Sequence, residues 1–89
     1  MKVREIRELF HNSQEIEMYY VKEENVQYYL GIAHDIPEEL DELNVTYMCA
    51  GEGDCPKYQG YQNILLVDAY DDAALERIRL AELREKSED

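Results

Sequence analysis

The residues of this sequence that could bind a soft metal or act as a nucleophile are two cysteines, Cys49 and Cys55, and two histidines, His11 and His34. Structural zinc sites use closely spaced pairs of such ligands, whereas five residues separate these cysteines and the histidines are scattered. The carboxylate of Asp54, next to Cys55, opposes formation of the reactive thiolate. We therefore predict no metal site, and a metal-binding or cysteine-dependent protein that uses Cys55 with His34 remains an alternative.

Two acidic stretches also lack the pattern of a ligand site. The run GEGD, at residues 51–54, has no lysine of the kind that phosphate-binding loops use. The run DAYDD, at residues 68–72, lacks the ligand spacing of a calcium-binding loop. Because no acid, base and nucleophile form a matched set, the sequence predicts a protein that is not an enzyme and has no cofactor.

The charge of the chain is strongly negative and unevenly distributed. Asp and Glu number 21 against 9 Lys and Arg, for a net charge of -12. Between Glu8 and Asp54 the only basic residue is Lys22, and the other bases lie towards the two ends. This distribution disfavours direct binding of nucleic acid or of an anionic membrane, since both need clustered cations. It favours a basic protein partner, although acidic residues can also serve solubility alone.

The residues that could form such a binding surface are acids and tyrosines. Tyrosine is enriched at the energetic centres of protein interfaces, and carboxylates attract a basic partner. The predicted partner-binding residues are Glu15, Glu17, Tyr19, Glu23, Glu24, Tyr29, Asp35, Glu38, Glu39, Asp41, Glu42, Tyr58 and Tyr61. The stretch DIPEELDEL, at residues 35–43, holds the densest group of these acids.

A small acidic chain without a catalytic set resembles the inhibitors that phages and mobile elements encode, such as anti-CRISPR proteins and anti-restriction mimics of DNA. The resemblance is in size, charge and the combination of tyrosines with acids. It implies an inhibitor that occupies the nucleic-acid site of a CRISPR or restriction nuclease, with carboxylates in place of phosphates. The bases near the two ends imply that only one side of the protein mimics nucleic acid. The other alternative is a structural or assembly subunit that forms a homodimer through the ILLV strand or the C-terminal helix.

The chain has no sign of a membrane or export segment. The N-terminal sequence MKVREIRELF lacks the apolar run of a signal peptide. No stretch approaches the roughly 20 apolar residues of a membrane-spanning helix. We therefore expect a cytoplasmic protein with reduced cysteines, in the cytoplasm of the host cell if a phage encodes it.

Hydrophobic periodicity predicts the elements that must position these residues. Helical spacing covers residues 2–11, about 37–44 and 73–84, and alternation or a short apolar run marks strands at 15–21, 26–33, 45–50 and 63–69. The fold class is therefore α+β, in the order α-β-β-α-β-β-α. We expect a four-stranded, mainly antiparallel sheet with helices packed on one face. The run ILLV within 63–69 predicts a central strand, Asp71-Asp72 can cap the final helix, and Leu40 and Leu43 are expected to dock. Residues 1–86 form a single domain, and residues 87–89 form a frayed tail.

The register of the first hairpin decides which tyrosines share a face. A three-residue loop at 23–25 places Tyr20 opposite Tyr28 on the core face. It places Tyr19 and Tyr29 together on the other face, beside Glu17. A four-residue loop would mix the apolar and polar faces, so the sequence favours the three-residue loop.

Overall fold

The described residues form two α-helices, two short 3-10 turns and four strands. The computed structural model describes residues 1–53, 56, 59–60 and 63–87, so the predictions for Tyr58, Tyr61, Asp54 and Cys55 lie outside the described residues. The elements are α1 (Val3–Leu9), β1 (Glu15–Lys22), β2 (Asn25–Ile32), 3-10 turns at Ala33–Asp35 and Glu38–Leu40, β3 (Asn44–Gly51), β4 (Ile64–Tyr70) and α2 (Asp72–Ser87). No helix of the described residues is long and apolar enough to span a membrane.

The four strands form one sheet in the order β2-β1-β4-β3. The α+β class is confirmed, but the sheet is mixed rather than mainly antiparallel in its centre, because β1 and β4 pair in parallel. The segment between β2 and β3 crosses from one edge of the sheet to the other, because β2 and β3 are the two edge strands. As a result β3 runs in the direction of β2, and β4 returns parallel to β1. The apolar run of β4 does mark a central strand, since Ile64 and Leu65 are buried.

One face of the sheet is covered by α1 and residues 33–43, and the core lies beneath them. The backbone N–H of Val3 donates to the carbonyl oxygen of Leu43 at 3.0 Å, which joins the two covering elements. Burial of one large aliphatic side chain contributes about 1.5–3 kcal/mol. The buried cluster comprises Val3, Ile6, Ile16, Met18, Ala33, Ile36, Leu40, Leu43, Leu65, Val67 and Ala69.

The helix predicted at about residues 37–44 is instead the short 3-10 turn Glu38–Leu40, which extended backbone separates from the turn at Ala33–Asp35. Ile36 has φ -57° and ψ 124°, and Pro37 has φ -58° and ψ 137°. A residue that precedes proline is pushed away from the α conformation, so the first turn does not continue through Ile36 into the second. The predicted docking of Leu40 and Leu43 is correct, since both side chains are buried.

The β1–β2 turn has two residues, so the predicted three-residue loop is wrong. Glu23 and Glu24 have φ of 52° and 68°, and the adjacent Lys22 and Asn25 pair directly. Two successive left-handed residues are typical of the turn whose twist matches that of a hairpin. This twist, rather than the alternation of apolar residues, determines the register.

The observed register exchanges the faces of the β2 tyrosines. Tyr19 pairs with Tyr28, and Met18 pairs with Tyr29. Tyr20 pairs with Gln27 on the covered face, where its hydroxyl donates to Gln27 Oε1 at 2.7 Å. This hydrogen bond satisfies the side-chain oxygen of Gln27, so the polar residue can lie on the same face of the sheet as the core residues. The face opposite α1, called the open face below, therefore carries Tyr19 and Tyr28.

A β-bulge between Val45 and Tyr47 changes the faces of β3 as well. Val45 packs against the core, whereas Tyr47 pairs with Asp68 and Cys49 with Leu66. Because the bulge adds one residue to the strand, residues two apart across it point to opposite faces of the sheet instead of the same face. Tyr47 is consequently 54% exposed on the open face.

The final helix begins at a side-chain cap and lies on the open-face side of the sheet, so the helices do not all pack on one face. Asp71 Oδ1 accepts a hydrogen bond of 2.8 Å from the N–H of Ala74, and its Oδ2 accepts one of 2.8 Å from the N–H of Glu23. The predicted cap is correct, and it also joins the helix to the hairpin turn. The helix includes Ser87, one residue beyond the predicted domain boundary, and residues 88–89 lie outside the described residues.

The left-handed turn predicts a stabilising double substitution. Glu23→Asn together with Glu24→Gly should raise the free energy of unfolding by about 1 kcal/mol, because Asn and Gly adopt positive φ with less strain. Urea denaturation followed by circular dichroism measures the change. The control is Glu38→Gln with Glu39→Gln, which removes the same charge without altering the turn. An equal gain in the control would mean that relief of charge repulsion, not of backbone strain, is responsible.

The cap predicts a pH-dependent contribution to stability. Hydrogen bonds from the N–H groups of Glu23 and Ala74 lower the pKa of Asp71 below its ordinary value of 3.8. Asp71 therefore stabilises the fold above that pH, and the contribution is lost as the pH falls through the lower folded-state pKa. Asp71→Ala should lower the free energy of unfolding by about 1 kcal/mol at neutral pH. Denaturation across the acid range should show this difference shrinking below pH 3.8, whereas a constant difference would contradict the assignment.

Candidate functional site

A group of exposed carboxylates lies where the hairpin turn meets the second 3-10 turn. Lys22 Nζ donates to the backbone oxygen of Glu39 at 3.1 Å, which holds the two turns side by side. Glu23 and Glu39 line the same shallow cleft between them. Glu23, Glu24, Glu38 and Glu39, all exposed, are called the acidic rim below.

Most of the charge of the acidic rim is not neutralised within the described part of the chain. Glu23, Glu38 and Glu39 form no ion pair with any described residue. Glu24 Oε1 lies 3.3 Å from Arg77 Nη1, but the two side chains are 82% and 51% exposed. An ion pair this exposed is screened by water and salt and contributes little. The rim therefore presents a negative surface.

Two of the predicted acids have a different role, because α1 neutralises them. Asp41 forms an ion pair with Arg7, and Glu42 forms one with Arg4. The N–H of Arg4 also donates to the carbonyl oxygen of Asp41 at 3.2 Å. The contacts of Asp41 fasten this segment to α1, and the exposed Arg4–Glu42 pair adds little to them. The densest acidic stretch of the sequence is thus divided between a docking contact and the acidic rim.

Asp35 and Glu15 lie at the opposite end of the sheet from the acidic rim. Glu15 begins β1, where it pairs with Ile32, and Asp35 closes the first 3-10 turn shortly after. Asp35 Oδ1 is 3.2 Å from Nδ1 of the exposed His34. The structure therefore does not bring these two acids together with the hairpin turn.

The open face carries a second candidate surface, formed by tyrosines and two acids. The rings of Tyr19 and Tyr28 meet edge to face, with centroids 5.5 Å apart and an interplanar angle of 71°. Together with Tyr47 they surround a concavity of about 710 Å³ that Glu17 and Asp68 also line. Glu17 is only 7% exposed. Aromatic rings beside carboxylates can accept a cationic or an apolar side chain.

Sequence reasoning assigned Tyr19 and Glu17 to this surface but missed Tyr28, Tyr47 and Asp68. The wrong hairpin register hid Tyr28, and the bulge in β3 hid Tyr47. Asp68 did give a signal, because a carboxylate inside an otherwise apolar central strand is unusual. It lies on the face that α1 leaves uncovered, opposite Tyr47 and Tyr19 in the two neighbouring strands.

Tyr29 does not join Tyr19 but lies on the covered face. Its hydroxyl donates to the carbonyl oxygen of Ile32 at 2.6 Å. A Cβ atom at Gly31 would lie 2.6 Å from that hydroxyl, so the ring needs the glycine beneath it. Burial, followed by the charges of Asp35 and Glu15, raises the pKa of Tyr29. This tyrosine packs against its own strand and the core rather than lining the open face.

The described candidates for metal or nucleophile chemistry are Cys49, His11 and His34, and each makes local contacts. Among the described residues, no group of three or more His, Cys, Asp and Glu side chains could hold a metal ion. Cys49 is a free thiol on the open face, where Tyr47 Oη donates to its Sγ at 3.0 Å and this hydrogen bond raises the pKa of Tyr47. His11 Nδ1 accepts from the N–H of Ser13 at 3.1 Å. These contacts are local and do not assemble a reactive group.

Comparison of the chain with protein-family models, curated proteins and solved structures finds no match in any of the three. The geometry of the acidic rim and of the open face is therefore what indicates a function. The sheet lies between them, because the rim adjoins the covered face and the tyrosine concavity occupies the other.

The contact between Tyr29 and Gly31 predicts a strongly coupled pair of substitutions. Gly31→Ala should lower the free energy of unfolding by about 1–3 kcal/mol, because its methyl group displaces the Tyr29 ring. In a Tyr29→Ala background the same change should be nearly neutral, since the space is then empty. Urea denaturation of the wild type, both single variants and the double variant measures the coupling. Equal losses in the two backgrounds would contradict the proposed packing.

Proposed function

We propose that this protein is a non-enzymatic inhibitor that binds a basic, nucleic-acid-handling protein of the host cytoplasm, as anti-CRISPR and anti-restriction proteins do. The acidic rim takes the place of nucleic-acid phosphates on that partner. The observation that carries the proposal is the presence of two glutamates, Glu23 and Glu24, at successive left-handed positions of an exposed turn.

The conformation of this turn is poorly suited to glutamate. For residues other than glycine, the left-handed conformation costs roughly 1–2 kcal/mol, and Asn-Gly is the usual choice in such turns. Neither Glu23 nor Glu24 packs against the core, since both are exposed. Strain that persists at an exposed position is a recognised mark of function. A requirement for negative charge at the hairpin tip accounts for the two residues.

The neighbours of the turn extend the same negative surface. Glu38 and Glu39 are exposed beside it, and Lys22 holds this arrangement through the backbone of Glu39 rather than through a carboxylate. The lysine therefore links the turns without occupying the side chains of the acidic rim. Such a surface attracts a basic nucleic-acid groove over long range and competes with phosphates for its cations. Binding is then expected to weaken as salt concentration rises.

A second candidate function is that of a structural or assembly subunit that forms a homodimer. The specific observation in its favour is the exposure of apolar residues on α2, where Leu80 is 49% and Leu83 is 55% exposed. Exposed apolar clusters mark interaction surfaces. The second half of α2, not the acidic rim, is the surface concerned.

The inhibitor proposal is tested by competition for nucleic acid. A panel of purified CRISPR effectors and restriction nucleases is loaded with fluorescent nucleic-acid ligand, and displacement by the protein is followed by anisotropy. Glu38→Lys with Glu39→Lys should weaken displacement at least about tenfold, equivalent to about 1.4 kcal/mol. Asp41 and Glu42 are left unchanged, because their substitution would release α1.

The matched control is Glu8→Lys with Glu52→Lys, which changes the net charge equally. Both residues are exposed, and Glu52 follows Gly51 at the opposite end of the sheet from the hairpin turn. The control should change displacement less than about threefold, because contacts at the rim rather than total charge determine affinity. Failure to displace ligand from any protein of the panel, or equal loss in both variants, would overturn the proposal.

A further inference from the structure

One row of paired residues runs across all four strands on the open face. In this row Tyr19 of β1 pairs with Tyr28 of β2 on one side and with Asp68 of β4 on the other. Asp68 in turn pairs with Tyr47 of β3. Neighbouring strands lie about 4.8 Å apart, so the aspartate has a tyrosine beside it in each adjacent strand. A cation held by Asp68 therefore lies within reach of two aromatic rings.

The carboxylate of Asp68 has no partner among the described residues. Thr46 Oγ1 donates to the backbone oxygen of Asp68 at 3.4 Å, a contact that does not involve the carboxylate. No ion pair within the described part of the chain includes Asp68. Asp68 is partly buried in a central strand, and charged side chains in such places usually have a partner. A ligand with a positive charge would supply one.

The row lines the tyrosine concavity, which offers enough space for a small organic molecule. Its volume of about 710 Å³ lies within the ~300–1,000 Å³ that is typical of small-molecule sites. Pro56, Leu66 and Val67 also line it and supply apolar contacts. Glu17 is only 7% exposed, so the partly exposed Asp68 is the carboxylate that a ligand would reach. The concavity thus combines apolar walls with an accessible negative charge.

The arrangement of the rings suits a cation. The rings of Tyr19 and Tyr28 meet at 71°, so their faces are turned in two different directions, as the walls of a corner are. Tyr47, on the other side of Asp68, is 54% exposed, so the core does not cover its ring. The face of an aromatic ring carries negative potential and attracts a cation within about 6 Å of its centre.

We propose that the tyrosine concavity binds an organic cation whose charged group is an alkylated ammonium, with the nitrogen beside the carboxylate of Asp68. The rings of Tyr19 and Tyr47 contact the alkyl groups around the charge, and the apolar walls contact the rest of the molecule. Aromatic rings that surround an alkylated ammonium form the usual cage for this group. The site is distinct from the acidic rim, so the proposal does not depend on the inhibitor function.

Other cations fit the described lining less well. A guanidinium group carries five N–H donors, each of which needs an acceptor when it leaves water, whereas much of this lining is aromatic or aliphatic. A metal ion needs several ligands, and no group of three or more His, Cys, Asp and Glu side chains among the described residues could hold one. A quaternary ammonium has no N–H donor to satisfy. Its methyl groups can contact rings and apolar walls while its charge stays near Asp68.

Titration of the isotopically labelled full chain with choline chloride, followed by NMR, tests the proposal. Choline chloride replaces sodium chloride at constant ionic strength, so that general screening of the acidic surface does not change. The amide resonances of Tyr19, Tyr47 and Asp68 should shift and saturate with a dissociation constant of about 1–10 mM. The neutral isostere of choline, in which a tert-butyl group replaces the trimethylammonium group, should bind at least about tenfold more weakly, because it keeps the shape and lacks the charge.

Substitutions in the row separate the contribution of charge from that of the rings. Asp68→Asn, which removes the charge and keeps the shape, should raise the dissociation constant for choline at least about tenfold. Tyr47→Leu should raise it at least about threefold, whereas Tyr47→Phe, which keeps the ring, should leave it nearly unchanged. The matched control is Asp35→Asn, which removes the same charge from an exposed 3-10 turn and should not change choline binding.

A second titration, with a short peptide that contains trimethyllysine, identifies the source of the ammonium group. Tighter binding than that of choline assigns the group to a lysine side chain of a protein. Weaker binding assigns it to a free small molecule. Either result supports the site, provided that Asp68→Asn weakens the binding of the probe concerned.

Several results would overturn the proposal. They are the absence of saturable shifts up to about 50 mM choline, equal affinity for the neutral isostere, and tighter binding of methylguanidinium chloride than of choline. Shifts confined to the acidic rim would overturn it too, because the cation would then respond only to the acidic surface. Circular dichroism shows whether each variant is folded, and the comparison of choline with its isostere uses the wild type alone. Loss of choline binding in Asp68→Asn with unchanged displacement of nucleic acid separates this site from the inhibitor function.

Discussion

The parallel pairing of β1 with β4 is the constraint on which the rest of the structure depends. Ile16 and Met18 of β1 align with Leu65 and Val67 of β4, and these four side chains form the floor of the core. The covering elements α1 and 33–43 close over this floor, whereas α2 and the tyrosine concavity lie on the other side of the sheet. The central pair thereby determines which side of the sheet holds the core and which side holds the tyrosine concavity.

Several features of the fold could be predicted because they arise from short stretches of sequence. The apolar run of β4 identified the central strand, and the position of Asp71 identified the start of α2. The hairpin register could not be obtained in this way. Gly31 lies on the core face, and the ring of Tyr29, two residues earlier in the strand, covers the space beside it. The alternation of apolar and polar residues shows on which face each residue lies. It does not show that the side chain of one residue covers another position. Parallel pairing of distant strands is likewise invisible to local periodicity.

In the candidate surfaces too, some features follow from short stretches of sequence and others depend on residues far apart in the chain. The sequence locates the acids correctly as exposed charges, but it treats residues 35–42 as one group. Arg7, about 35 residues away along the chain, turns Asp41 into a support for α1, and Arg4 pairs with the exposed Glu42. Only the three-dimensional arrangement distinguishes a carboxylate that holds the fold together from one that is free to meet a partner. The same reasoning explains why Asp68 was passed over, since its neighbours Tyr19 and Tyr47 belong to other strands.

The order of the strands also has a consequence for the way this chain folds. Ile16 and Leu65 are neighbours in the sheet but lie roughly 50 residues apart in sequence, so the central pair closes a loop that contains most of the chain. Until that closure, the β1–β2 hairpin has an unpaired inner edge and an isolated hairpin is only marginally stable. The hairpin therefore gains its lasting stability only after β4 pairs with it. The transition state for folding is expected to contain the β1–β4 contact.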